Sequence, residues 1–341
     1  MSRFAKGFTI VFLIFLVNPL WAQYSDPKLK AMGNLTVAAQ GRSLASFNPA
    51  SMFFDNSGKS FNGKIDYLDQ YLPHSGETIP AKPQTNVHIG FASHWISLGL
   101  DLNYFTENER KTGNVTYVDF VNDIGLNIKL ASGNTNVSAG ITIEGYSRMK
   151  RFNSPINKGS VLTDYLSQAL VGEYSKVLSS DSMQVDLGFL YCLSNFRFGL
   201  LMDNILTSYN GKTAFTIASV FENTSAGVYY SLPEYGRRGI FNQWVSAFGF
   251  EIHDVFSSDT TVHLGEEITF KFTRDHSISF RNGFSLPWKS FSKGEMTMGL
   301  GLFLSNLDIS LQTSIPLSYF SRIKGSDSKR WALEITFTYI I

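Results

Sequence analysis

Residues 183–202 read MQVDLGFLYCLSNFRFGLLM. Val185, Leu187, Phe189, Tyr191 and Leu193 alternate with other residues, and so do Phe196, Phe198, Leu200 and Met202. Between the runs stands Ser194-Asn195, a pair suited to a tight turn. Successive side chains of a strand point to opposite faces, so this stretch predicts two antiparallel strands with one apolar, aromatic-rich face.

The same period of two recurs along the chain. It is carried by Val87, Ile89 and Phe91, by Leu98, Leu100, Leu102 and Tyr104, and by Ile124, Leu126, Ile128 and Leu130. Phe248, Phe250 and Ile252 follow, then Met296 to Leu304, and finally Trp331, Leu333, Ile335, Phe337, Tyr339 and Ile341. Ser132-Gly133-Asn134 and Ser305-Asn306 predict further tight turns. Longer polar stretches at 73–84, 107–114, 149–160, 207–213 and 233–242 predict the longer loops. A soluble β-sandwich shares this alternation. The number and length of the runs, with aromatics at their ends, favour a transmembrane outer-membrane β-barrel. A spanning strand with its connection takes roughly 20 residues. Residues 61–341 therefore predict about 14 antiparallel strands. Val161, Leu162, Tyr165, Leu166, Ala169 and Leu170 have helical spacing and predict a short loop helix before a strand near Gln168.

Composition agrees. Of 341 residues only 17% are charged and 14% are aromatic, where soluble domains carry about 25% charge. The formal net charge of +1 argues against a nucleic-acid partner. The single cysteine, Cys192, excludes an intrachain disulfide and a multi-cysteine metal site. At the N-terminus, Arg3 and Lys6 precede an apolar run from Gly7 to Val17, too short to span a bilayer, and Ala22 offers a small residue for cleavage. The expected organisation is a signal peptide at 1–22, an N-terminal plug segment at 23–60 and a barrel at 61–341. The 27–60 stretch lacks long alternation and is rich in small residues.

Its sequence AMGNLTVAAQGRSLASFNPASM resembles the N-terminal plug of the FadL-type outer-membrane channels, a superfamily that includes the PorV/PorQ-like barrels of type IX secretion. The matching residues are Ala31, Met32 and Gly33, then Asn48, Pro49 and Ala50. VDLGFLYCL with FRFGLLMDNI resembles paired strands of that family ending in an Asn at a periplasmic turn, here Asn204. VHLGEEITF with HSISFRNGFS resembles a hairpin that places Gly265, Glu267, Arg281 and Gly283. MTMGLGLFLSNLDISL resembles its penultimate hairpin. The resemblance spans nearly the whole expected mature chain.

Strand parity gives candidate interior residues. Glu251, His253, His263, Glu267, Lys271 and Arg281 take the inward parity. Enclosed charges are costly unless paired, so a lumen pair of Glu267 and Arg281 is expected, with Lys271 and Glu251 nearby. Glu266 takes the lipid-facing parity, which predicts a bulge or a position near the membrane edge. Asn48 and Pro49 are expected to hold a turn, Ala50 to pack on the wall, and Met52, Phe53 and Phe54 to line an apolar ligand pocket. His253 and His263, near Glu251 and Glu267, are a weak metal candidate, and polar lumen lining is the favoured reading. The sequence contains no HExxH, GxSxG or phosphate-loop motif. No catalytic residue, cofactor or metal is expected. The resemblance implies two functions: passage of hydrophobic small molecules such as long-chain fatty acids, or docking for protein secretion or surface attachment. The expected partners are outer-membrane lipid with a hydrophobic ligand or secretion-system proteins.

Overall fold

A computed structural model describes residues 27–39, 48–55, 60–71, 84–93, 95–112, 115–157, 176–209, 212–214, 221–233, 243–273, 275–305, 307–317 and 331–340. The expected signal peptide and the helically spaced residues Val161 to Leu170 lie outside them.

Fifteen strands form one antiparallel sheet among the described residues. They are β1 (Ser60–Tyr71), β2 (Gln84–Ala92), β3 (Ile96–Thr112), β4 (Val115–Gly133) and β5 (Val137–Asn157). Then come β6 (Lys176–Leu193), β7 (Phe196–Tyr209), β8 (Lys212–Ala214), β9 (Thr224–Ser231) and β10 (Gln243–His253). The last are β11 (Thr261–Lys271), β12 (His276–Pro287), β13 (Glu295–Leu304), β14 (Leu307–Pro316) and β15 (Trp331–Ile340). The first strand pairs with the last, from Asn62 opposite Ile340 to Tyr71 opposite Trp331. β6 pairs with β7, and β7 with β9. The sheet therefore closes on itself. β8 pairs only with the end of β7 among the described residues, which leaves fourteen strands in the ring. Closure removes the unpaired edges that lipid would not tolerate.

The two faces are chemically distinct. Phe189, Phe198, Phe248, Phe250, Leu264, Phe280, Met298 and Leu300 stand exposed on the outside. Glu251, His263, Glu267, Thr269, Ser279, Arg281 and Thr297 are buried within. A bilayer in place of water outside makes this the favourable arrangement. Trp95 stands exposed at one end of the wall and Phe256, Trp288 and Phe291 at the other, where aromatic rings meet the membrane interfaces.

Several expectations are corrected. The polar stretches 107–114 and 149–160 are mostly strand: β3 runs to Thr112 and β5 to Asn157. Strands of 17 to 21 residues exceed the 9–11 that span a bilayer, so their polar ends continue the wall beyond it. The 232–242 connection leaves from the same end as the tight turns, because it joins β9 to β10. The turn after β4 is 134–136, not 132–134. Asn134 Oδ1 accepts from the amides of Asn136 and Val137 at 2.9 and 3.0 Å and closes that turn. Asn204 lies within β7, not at a turn. Its φ is 55°. The register against β6 jumps there, Val185 facing Leu206 and Leu187 facing Met202. Asp186 accepts the Asn204 amide at 2.8 Å, so a carboxylate holds the bulge. Below this bulge β7 pairs with β9, and above it with β8.

Candidate functional site

Residues 27–39 and 48–55 lie against the inner face of the wall. The short helix α1 (Pro27–Ala31) leads into Met32 and Gly33, whose φ is 79°. Leu29, Met32, Leu35, Ala38 and Ala39 form one buried cluster with Tyr229 of β9 and Ala247 of β10. A 3-10 turn at Pro49–Ser51 leads into α2 (Met52–Asp55). Asn48 is extended, and its Oδ1 accepts the Ala50 amide at 3.0 Å, a side-chain cap made favourable by Pro49 at the next position.

Glycines permit the close approach. A Cβ at Gly140 would lie 2.6 Å from the Pro49 carbonyl carbon, and one at Gly188 2.8 Å from the Pro49 ring. Cβ atoms at Gly199, Gly249, Gly265, Gly283 and Gly299 would collide with Val37, Leu35, Met32, Gly33 and Ala31 respectively. Seven inward-facing glycines on seven strands thus form a belt on which the segment's backbone rests. Only the absence of a Cβ allows that contact. Gly265 and Gly283 belong to a motif already singled out in the sequence. Gly188, Gly199 and Gly299 lie in further stretches that carry the resemblance, and a glycine at inward parity on strand after strand is the readable signal that joins all seven.

Polar groups fix the segment at three places. At the first, Glu251 of β10 is fully buried. Its Oε2 accepts the Thr36 amide at 2.6 Å, and its Oε1 accepts those of Val37 and Ala38 at 2.9 and 2.8 Å. His253 Nε2 is 3.0 Å from Oε2. Three backbone donors and one ring nitrogen offset the cost of burying this carboxylate. His263 Nδ1 donates to the Gly33 carbonyl at 2.6 Å, and its Nε2 meets Thr261 Oγ1 at 2.7 Å. The two imidazoles stack with centroids 4.0 Å apart. Both His263 nitrogens are engaged, so the histidine pair braces the segment. No cluster of three or more metal-ligating side chains exists among the described residues.

At the second place, Arg281 Nε donates to Glu267 Oε2 at 2.6 Å. Lys28 Nζ is 2.9 Å from Glu267 Oε1. Arg281 also reaches Ser310 Oγ at 3.3 Å. Lys28 is therefore the second cation on Glu267, while Glu251 is occupied by the segment's backbone. Burial acts to lower the Lys28 pKa, but the Glu267 carboxylate outweighs it and the pKa is raised. Thr297 Oγ1 accepts the Gly33 amide at 2.9 Å and donates to the Ala31 carbonyl at 3.0 Å.

At the third place, Asn48 Nδ2 donates to Val37, Phe189 and Leu200 carbonyls at 2.7, 3.2 and 3.3 Å. Ser138 Oγ donates to the Ala50 carbonyl at 2.8 Å. The segment thus touches β10–β14 at one end and β4–β7 at the other. Met52 is buried, while Phe53 and Phe54 are half-buried and meet edge to face at 5.5 Å. The Arg197 guanidinium stands 6.0 Å over the Phe54 ring.

No family model matches the chain, and no curated protein matches its sequence. Solved structures do. The toluene transporter TodX of P. putida superposes with a TM-score of 0.53 at 13% identity, over 94% of this chain and 99% of that one. The monoaromatic hydrocarbon channel CymD gives 0.54 at 12%, over 95% and 97%. The toluene transporter TbuX of Ralstonia pickettii gives 0.51 at 12%, over 93% and 98%. The chain has the fold of the FadL-type outer-membrane channels. At such identities the likeness is one of architecture, and the FadL-type barrel shared here is closed, antiparallel and apolar outside.

Proposed function

We propose that the protein admits hydrophobic small molecules across the outer membrane, and that residues 27–55 act as a plug that governs passage. The observation that carries this reading is how the segment is held. It runs along the inner face from β10–β14 to β4–β7 and is fixed there by hydrogen bonds and ion pairs to wall side chains and carbonyls. Such bonds can be replaced by bonds to water when the segment shifts, while the buried cluster of Leu29, Met32, Leu35, Ala38 and Ala39 on Tyr229 and Ala247 sets its resting seat. A barrel of fourteen strands is too wide for its wall side chains to fill, so the segment's position decides whether the lumen is open.

The architectural neighbours are named for toluene and monoaromatic hydrocarbons. Aromatic hydrocarbons and long-chain fatty acids are the two cargo classes to test. Deleting residues 27–58 should give large conductance in planar bilayers where the intact protein conducts little. Uptake of one cargo class should change with the deletion. Equal conductance of both forms overturns the plug. Raised conductance with unchanged uptake leaves a seal and removes gated transport. Docking for protein secretion makes a different forecast in the same preparation, a co-purifying protein without bound hydrophobic ligand.

A further inference from the structure

The outer face of the wall carries a groove of about 620 Å³. Val228 and Tyr230 of β9, Phe248 and Phe250 of β10, Leu264 of β11 and Phe284 of β12 supply most of its lining. These residues have the parity that faces lipid. Among them lie two polar side chains, Glu266 and Asn282. Glu266 is central in β11 (Thr261–Lys271) and Asn282 central in β12 (His276–Pro287). They face each other in an unbroken register, with no bulge on either side. Neither a bulge nor a position at the strand's end explains the carboxylate.

A carboxylate on the lipid face of a barrel at mid-depth is destabilising. It is half-buried here, and Asn282 Nδ2 donates to its Oε1 at 2.7 Å. With one of the two amide N–H groups spent on that bond, the pair keeps one donor against two remaining acceptors, the second carboxylate oxygen and the carboxamide oxygen, and its formal charge is negative. The complement is a donor carrying positive charge. The rings of Tyr230, Phe248, Phe250 and Phe284 around the pair favour a cation as well. The remaining lining suits an aliphatic or aromatic body.

We propose that this groove binds a membrane-dissolved hydrophobic amine, its ammonium on Glu266 and its apolar body along Phe250, Leu264 and Phe284. The site lies on the opposite face of the wall from the N-terminal segment, so it stands whether or not that segment is a plug.

The test uses the full-length protein in phosphatidylcholine nanodiscs and three photoreactive probes: decylamine, decanol and decanoate, each with a diazirine on the alkyl chain. Adduct positions are read by peptide mapping. Decylamine should concentrate on Phe250, Leu264 and Phe284 and exceed decanoate there by about tenfold, the scale of one charge-assisted hydrogen bond. Glu266→Gln should remove that excess while keeping the heat-modifiable gel shift of a folded barrel. Adducts spread evenly over all lipid-facing aromatics would overturn the proposal. So would labelling by decanoate or decanol equal to that by decylamine, or an undiminished decylamine signal in Glu266→Gln. Asn282→Leu provides a second variant. It keeps the carboxylate and should retain preference for the amine over decanoate, and loss of that preference would also count against the site.

Discussion

Glu251 and Thr36 lie 215 residues apart in sequence and meet through a 2.6 Å hydrogen bond, the Thr36 amide donating to the buried carboxylate. With the amides of Val37 and Ala38 on the other oxygen, one wall side chain holds three consecutive residues of the N-terminal segment. The segment is thereby tied to β10 by charge-assisted bonds, which are stronger than neutral ones but exchangeable.

Glu251→Ala should free residues 36–38. Each hydrogen bond to a charged group contributes about 1.5–3 kcal/mol, and removing the carboxylate orphans three donors at once. Amide exchange at 36–38 should accelerate by at least about a hundredfold, read by hydrogen exchange in detergent. Unchanged protection at those amides would show that Glu251 does not hold the segment.

The Lys28, Glu267 and Arg281 group should behave as a coupled unit. Arg281→Gln alone leaves a buried carboxylate with one cation and should destabilise by about 3–5 kcal/mol. The double variant Glu267→Gln with Arg281→Gln should be milder than the worse single. Urea unfolding of the four forms in detergent supplies the cycle, and additive losses would exclude direct coupling.

Gly265→Val should displace the segment without unfolding the barrel. A Cβ there would collide with the Met32 backbone, which cannot swing aside as a flexible side chain would. The expected result is a normal heat-modifiable gel shift together with raised conductance and new proteolysis near Met32. A protected Met32 region would mean that the belt does not set the segment's seat.

The lipid-facing assignment is tested at Phe280, which is 51% exposed on β12. Phe280→Arg places a charge on the outer face and should cost about 2–4 kcal/mol if that position is near mid-depth. The same change at Ser279, which faces inward, should lack that lipid penalty. Equal losses of heat-modifiable folding would contradict the two-faced wall.

The period of two, in 183–202 and along the chain, by itself determined antiparallel strands with one apolar, aromatic-rich face. Parity is local: each residue's face follows from its neighbour's, so inward Glu251, Glu267 and Arg281 and outward Phe248 and Leu264 were legible without any long-range information. The Asn48-Pro49 turn was legible for the same reason, since a proline ring and a capping carboxamide act on adjacent residues. What met what was a different matter. That Lys28 reaches Glu267 and that Glu251 receives Thr36 depended on the path of a segment with no period of its own, whereas Glu266 faces Asn282 through the register of one hairpin. Lys271 has the same charge and parity as the cation that Glu267 needs, yet Lys28 arrives from outside the strands. A strand pattern carries no term for such a contact. The Asn204 bulge escaped for a related reason: a register jump is set by two strands together, and Asp186, which holds it, is read from the other strand.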